Sequence, residues 1–183
     1  THRTFRDEQG NWLFPSEVVE EGQKAYKAED KSPVSIGPVI KMSKSKRNVI
    51  DPQDIFESYG ADAARLFILS DSPPDRDLEW TESGLDGAWR YLNKLYRMVA
   101  EPVVNLPEAG DVSTAKLNDL PEELTVIRRH THQTIKIVGE AIEAFHMNKA
   151  VAQLRELTNS LGSLASNHSA AGQVLREGLE ILT

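Results

Sequence analysis

The sequence predicts a mainly α chain, an antiparallel helical bundle preceded by a small irregular α/β segment and a lysine-rich loop. Three observations predict it. From Leu85 onward, apolar side chains recur at alternating steps of three and four, the mark of amphipathic helices. The first 40 residues are punctuated by Pro15, Gly22, Pro33, Gly37 and Pro38, which leave room only for short strands. Between these regions lies Lys41-Met42-Ser43-Lys44-Ser45, continued by Lys46-Arg47-Asn48. That is four cations in seven residues, in a chain whose formal net charge is −7.

Taken in order, Thr4-Phe5-Arg6 and Trp12-Leu13-Phe14 flank Asp7-Glu8-Gln9-Gly10-Asn11, the pattern of a hairpin with a glycine-containing loop. The lead-in carries too few large apolar residues to bury a core of its own. Asp51-Pro52 starts a helix, with a side-chain acceptor at the cap and proline where its missing N–H costs nothing. Ile55, Phe56 and Tyr59 give it an apolar side, and Gly60 stops it. A second helix runs from Ala61 through Arg65, Leu66 and Phe67 to Leu69, and Pro73-Pro74 ends that unit. An acidic loop, Asp75 to Glu79, follows.

Leu85, Ala88, Leu92, Leu95 and Val99 define the first bundle helix. Pro102, Pro107, Gly110 and Pro121 mark a long connection over 101–120. The second bundle helix, near 122–145, places Leu124, Ile127, Ile135, Val138, Ile142 and Phe145 on one face. A third, near 147–165, carries Met147, Val151, Leu154, Leu161 and Leu164. A fourth, from about Ala170, carries Val174, Leu175, Leu179 and Leu182. Short links between the later helices imply antiparallel neighbours. Trp80, Trp89 and Tyr96 are expected in the core or at the bundle edge.

Composition narrows the function classes. The chain has 183 residues and no cysteine, which excludes disulfides and thiolate metal sites. No apolar run approaches a membrane span, so no membrane partner is expected and a cytoplasmic location is the simplest expectation. A protein this acidic does not attract polyanions by bulk charge, so any contact with RNA must come from local clusters of Lys and Arg. His130 and His132 fall on different helix faces and do not form a zinc pair. Asp75, Asp77 and Glu79 read as a solvated or capping cluster rather than a metal site.

The lysine loop is a local anion site, and its fixed order of mixed residue types is far more specific than a charge run. Asn48-Val49-Ile50-Asp51-Pro52 follows it, then Tyr59-Gly60-Ala61-Asp62-Ala63-Ala64-Arg65. Together these segments resemble the class I aminoacyl-tRNA synthetases. Arg65-Leu66-Phe67-Ile68-Leu69 and Ser72-Pro73-Pro74-Asp75-Arg76-Asp77-Leu78-Glu79-Trp80, with Gly84 and Gly87-Ala88-Trp89-Arg90, resemble the leucine branch. The specific match spans about residues 39–97. A sister synthetase for valine, isoleucine or methionine, or a noncatalytic RNA-binding module with a synthetase-like bundle, remains the alternative.

The resemblance implies ATP with Mg2+ as cofactor, and leucine and leucine-accepting tRNA as partners, in a monomeric enzyme. Its chemistry is attack of a carboxylate on the α-phosphate of ATP with pyrophosphate leaving, where ammonium groups stabilise the charge that builds up. Lys41 and Lys44 would engage the phosphates. Met42, Ser43 and Ser45 would complete the ATP-binding loop, the serines setting its conformation. Asp51 and Asp62 would cap helices. Lys46 and Arg47, the row Arg90, Lys94 and Arg97, and the row Arg129, His132 and Lys136 would meet the tRNA backbone, positioning it without reading sequence.

The resemblance also implies a division into three parts. Residues 1–37 would be the trailing part or flank of an inserted module, 38–74 the signature loop with its linker helices, and 75–183 a helical tRNA-binding bundle truncated at its C-terminal side. Neither chain end reads as natural. The motifs that hold adenine and leucine in class I enzymes are not in this sequence, so the chain alone is expected to be inactive.

Overall fold

The computed structural model describes residues 1–108, 120–164 and 167–182. Most of the expected long connection, including Gly110, and the expected third-helix end at 165 lie outside the described residues.

The lead-in corrects the sequence reading. It is not irregular α/β but a five-stranded antiparallel sheet: β1 (His2–Arg6), β2 (Trp12–Leu13), β3 (Val18–Glu21), β4 (Lys24–Lys27) and β5 (Pro33–Ile40), in the spatial order β2-β1-β5-β4-β3. It also has a small core, with Phe5, Leu13, Ala25 and Val34 buried together and Val18 packed against them. The sequence hid this core because curling a sheet lets a few inward residues from different strands converge without any long apolar run.

The first hairpin forms as expected, with Phe5 opposite Leu13 and Arg6 opposite Trp12. Asp7 closes its loop: Oδ1 accepts from the N–H groups of Gln9 (3.0 Å) and Asn11 (2.8 Å). Burial pushes the Asp7 carboxyl up, but hydrogen bonds from Asn11 and the nearby Lys27 ammonium outweigh this and hold it below its ordinary 3.8.

Six α-helices follow among the described residues: α1 (Pro52–Tyr59), α2 (Ala61–Asp71), α3 (Glu82–Ala100), α4 (Glu122–Glu143), α5 (Met147–Gly162) and α6 (Ala171–Leu182). Asp51 caps α1, its Oδ1 accepting from the Gln53 N–H at 2.9 Å, with Pro52 in the first turn. Gly60, at φ +81°, ends α1 and begins α2, which a side chain would strain. Asp62 does not cap α2 as expected; it pairs with Arg65 at 3.0 Å.

Two helical cores result. Ala63, Phe67, Leu85 and Ala88 join α2 to α3, with Trp80 edge-on to Phe67 at 5.1 Å. Leu124, Leu157, Leu161, Leu164, Val174, Leu175 and Leu179 join α4, α5 and α6. The middle of α3 spans both, because Leu92 packs on the first core while Leu95 and Met98 pack on the second.

The expected apolar faces hold only in part. On α4 the buried residues are Leu124, Thr131, Thr134 and Ala141, while Ile135, Ile142 and Phe145 are exposed. In its C-terminal half the buried face is narrow and lined by small residues, since short side chains let helices approach closely, and the larger ones sit outside it. Val99 and Tyr96 are also exposed, and Met98 takes the core position expected of Val99.

The sheet is stitched to the helical part. The Trp80 N–H donates to the Thr1 carbonyl at 2.9 Å, and the Thr1 hydroxyl donates to the Leu78 carbonyl at 3.1 Å. Arg3 lies 3.9 Å from Glu79. Beside this seam, burial holds the His2 imidazole below its ordinary 6.5, partly offset by a hydrogen bond with the Arg3 carbonyl. The folded state therefore favours a neutral ring, and the unfolded chain takes up the proton first on acidification. Stability contributed by His2 is complete above 6.5 and is lost as pH falls below it. Urea melts of His2→Gln are expected to show a shallower pH slope there than the parent; an unchanged slope would remove His2 as its source.

Candidate functional site

The lysine loop leaves the end of β5 and becomes a single 3-10 turn, Lys44–Lys46. Ser43 caps it from an extended backbone, its Oγ accepting from the Lys46 N–H at 3.3 Å. The hydroxyls of Ser43 and Ser45 lie 3.0 Å apart. Arg47 closes the turn in the left-handed region at φ +52°, its N–H donating to the Lys44 carbonyl at 3.2 Å. Such a turn throws successive side chains outward, so Lys41, Lys44, Lys46 and Arg47 are all exposed while Met42 is half-buried. Among the described residues, none of the three lysine ammonium groups is ion-paired.

Asn48, which the sequence presents only as part of a motif, anchors the loop. It is fully buried. Its Oδ1 accepts from the Ser43 N–H at 2.9 Å, and its Nδ2 donates to the carbonyls of His2 (3.1 Å) and Ile40 (3.3 Å). One side chain thus ties the start of the turn, the end of β5 and β1 together. A buried amide with its donors and acceptor satisfied is rigid and costly to replace. No local sequence signal separates such an asparagine from one in an exposed turn.

Lys44 stands on the wall of an open cavity of about 1080 Å³ bordered by the sheet, the turn and the starts of α1 and α3. Phe14, Asp51, Trp80 and Glu82 share that wall. An ammonium group here borders a space large enough for a substrate, lined also by the acidic side chains of Glu20, Asp51, Asp54 and Glu82.

The other expected cations are separate from this loop. On α3, Arg90, Lys94 and Arg97 are all exposed. Arg90 Nε is 3.2 Å from Asp86, and Lys94 Nζ donates to Asn159 Oδ1 at 2.7 Å. Lys94 and Arg97 border a groove of about 260 Å³ floored by Met98, Leu161 and Leu175. On α4, Arg129 is exposed, Lys136 lies 3.9 Å from Glu140, and His132 Nε2 lies 3.1 Å from Glu177. Arg128, absent from the expected set, pairs with the same Glu177 at 2.9 Å. His130 meets Ser160 at 2.8 Å, so α3 and α4 both reach neighbouring residues of α5. Among the described residues no helix is long and apolar enough to cross a membrane.

Residues 38–81 match the family described as tRNA synthetases class I (I, L, M and V). The chain is 56% identical over 180 residues to the leucine–tRNA ligase of Paramagnetospirillum magneticum, covering 98% of this chain and 20% of that protein. It is 47% identical over 180 residues to the leucine–tRNA ligase of Rhodospirillum rubrum, again 98% of this chain and 20% of the relative. Among solved structures, the Agrobacterium radiobacter K84 agnB2 LeuRS in a ternary complex, LeuRS-tRNA-LeuAMS, matches with a TM-score of 0.67 at 29% identity. That match covers 78% of this chain and 18% of the other. The chain spans about a fifth of the length of the curated relatives it matches. With the family match running over residues 38–81, which hold the signature loop and the two helices after it, and leucine–tRNA ligases alike along nearly its whole length, the chain belongs to the class I aminoacyl-tRNA synthetases and resembles their leucine branch.

Proposed function

We propose that this chain works within a leucine–tRNA ligase, which activates leucine with ATP to leucyl-adenylate and transfers it to leucine-accepting tRNA. The chain supplies the lysine loop and part of the RNA-binding surface. The observation that carries this reading is the turn itself: exposed ammonium groups, in no ion pair among the described residues, on a backbone fixed by a buried asparagine.

In the reaction the leucine carboxylate attacks the α-phosphate of ATP, the bond to the β-phosphate breaks, and pyrophosphate departs with the negative charge. Lys44 and Lys41 hold that charge, more strongly in the transition state than in the ground state. Ser43 and Ser45 shape the turn, and Met42 packs beneath it. Magnesium would arrive with the ATP phosphates. Among the described residues no group of three or more His, Asp and Glu converges to hold an ion.

Residues 1–37 are the trailing part or flank of an inserted module, 38–74 carry the loop and its linker helices, and 75–183 belong to the RNA-binding bundle of a monomeric, cytoplasmic enzyme. Lys46, Arg90, Lys94, Arg97, Arg129 and Lys136 contact tRNA phosphates. The exposed ion pairs of Arg90 and Lys136 are weak and exchange readily for phosphate.

Binding of this chain to leucine-accepting tRNA, measured across a salt titration, tests the RNA half. Affinity is expected to fall steeply with salt, and Arg90→Ala/Lys94→Ala/Arg97→Ala is expected to reduce the log–log slope by about two to three. Binding that is insensitive to salt, or an unchanged slope in the triple variant, would take these residues off the RNA.

A further inference from the structure

Arg47 belongs to the cationic run, yet its side chain is turned back on the sheet. Because its backbone is left-handed, the chain reverses there, and the guanidinium lies 5.0 Å from the ring centroid of Phe14. Its Nη1 is 3.9 Å from Glu17 Oε2, an oxygen that already accepts from the Phe14 N–H at 2.7 Å. Phe14 ends the first hairpin and begins a 3-10 turn, Pro15–Glu17, that leads into β3. The Arg47 and Glu17 side chains are 48% and 45% exposed, so their charge attraction alone contributes little. What the arrangement adds is position: a planar cation over an aromatic ring beside a carboxylate held by the backbone.

The other side of the turn is held from within. Asn48 Oδ1 fixes the Ser43 N–H, and Nδ2 fixes the carbonyls of His2 and Ile40. Lys44 lies between these two attachments, next to Ser43 and three residues before Arg47. Both attachments end on the sheet, Asn48 on β1 and the end of β5, Arg47 on the segment between β2 and β3. The turn has no other long-range tie among the hydrogen bonds and ion pairs of the described residues.

We propose that Asn48, Arg47 and Phe14 form a clasp through which the five-stranded sheet sets the position of Lys44. All three are positioning residues, and Arg47 serves the loop rather than RNA. The importance of Lys44 to catalysis rests on the function proposed above, but the clasp is a claim about the loop that is measured separately.

Amide hydrogen exchange on the 183-residue chain reads it directly. In Asn48→Ala the Ser43 N–H loses its acceptor, and its exchange is expected to rise about tenfold while protection in α4, α5 and α6 stays as in the parent. The Arg47–Phe14 half is read by a double-mutant cycle on the amides of Lys46 and Arg47. Phe14→Ala and Arg47→Ala are each expected to speed exchange about threefold, and the double variant to do no more than either alone. Since these two sites are exposed, the cycle still decides the matter if Asn48→Ala fails to fold. Unchanged Ser43 exchange in a folded Asn48→Ala, or independent, additive effects in the cycle, would overturn the clasp.

A catalytic readout in the full-length protein separates positioning from mere structure. Asn48→Ala is expected to lower kcat for leucine-dependent pyrophosphate exchange about tenfold and to leave KM for leucine unchanged, at equal melting temperature. If the parent protein performs no leucine-dependent exchange, the proposed function fails and the exchange-protected clasp stands. If it does, but Asn48→Ala reacts at the parent rate, the clasp has no positioning role.

Discussion

Replacing Lys44 by alanine is expected to lower leucine-dependent pyrophosphate exchange in the full-length protein by about 10²–10³, the cost of losing one preorganised donor to developing charge. Melting temperature should not move, because the ammonium group is exposed and takes part in no ion pair among the described residues. Arginine is not expected to rescue it, since a broad planar fork does not reproduce a compact ammonium on this wall of the cavity. Lys46→Ala is the control. It removes the same charge two residues along the same turn, yet exchange involves no RNA and should stay near the parent rate. Equal losses from both variants would mean that the turn acts only as diffuse positive charge, and the role given to Lys44 would fall.

Phe67→Ala is expected to cost about 3–5 kcal/mol of stability, by lost transfer energy and the cavity left behind. The ring is 1% exposed and lies edge-on to Trp80 at 5.1 Å. It also fills the space over Gly84, where an added Cβ would come within 2.5 Å of it. The consequence is not local. Trp80 donates its backbone N–H to the Thr1 carbonyl, so the Phe67 ring packed against Trp80 supports the seam between helices and sheet. Urea unfolding followed by helix and tryptophan signals checks this. A loss below about 1 kcal/mol would show that the site collapses around the missing ring or stands outside the cooperative unit.

Local chemistry made the helices and the loop legible in the sequence. The Asp51-Pro52 start, the Gly60 break and the first hairpin are all decided by neighbours within a few residues, and all three stand as expected. The lysine turn was legible for another reason: a fixed order of residue types specifies a chemistry as well as a shape. The sheet was not legible, because its core is assembled from single residues on four strands. Nor was the buried face of α4, where Thr131 and Thr134 go inward and Ile135 stays out. Hydropathy alone gives the opposite order, and close helix approach decides it.

What the sequence by itself determined is the presence of a cluster of cations just ahead of a run of helices. Those charges are covalently adjacent, and no fold could disperse them. Only the tertiary structure decided what each of them stands beside. Lys44 is carried onto a cavity wall, while Arg47 is drawn back onto Phe14. The start of the turn is tied down by Asn48, whose hydrogen bonds reach residues as far as 46 positions away in the chain. A contact of that range forms only when the sheet is folded, so no reading of neighbouring residues can contain it.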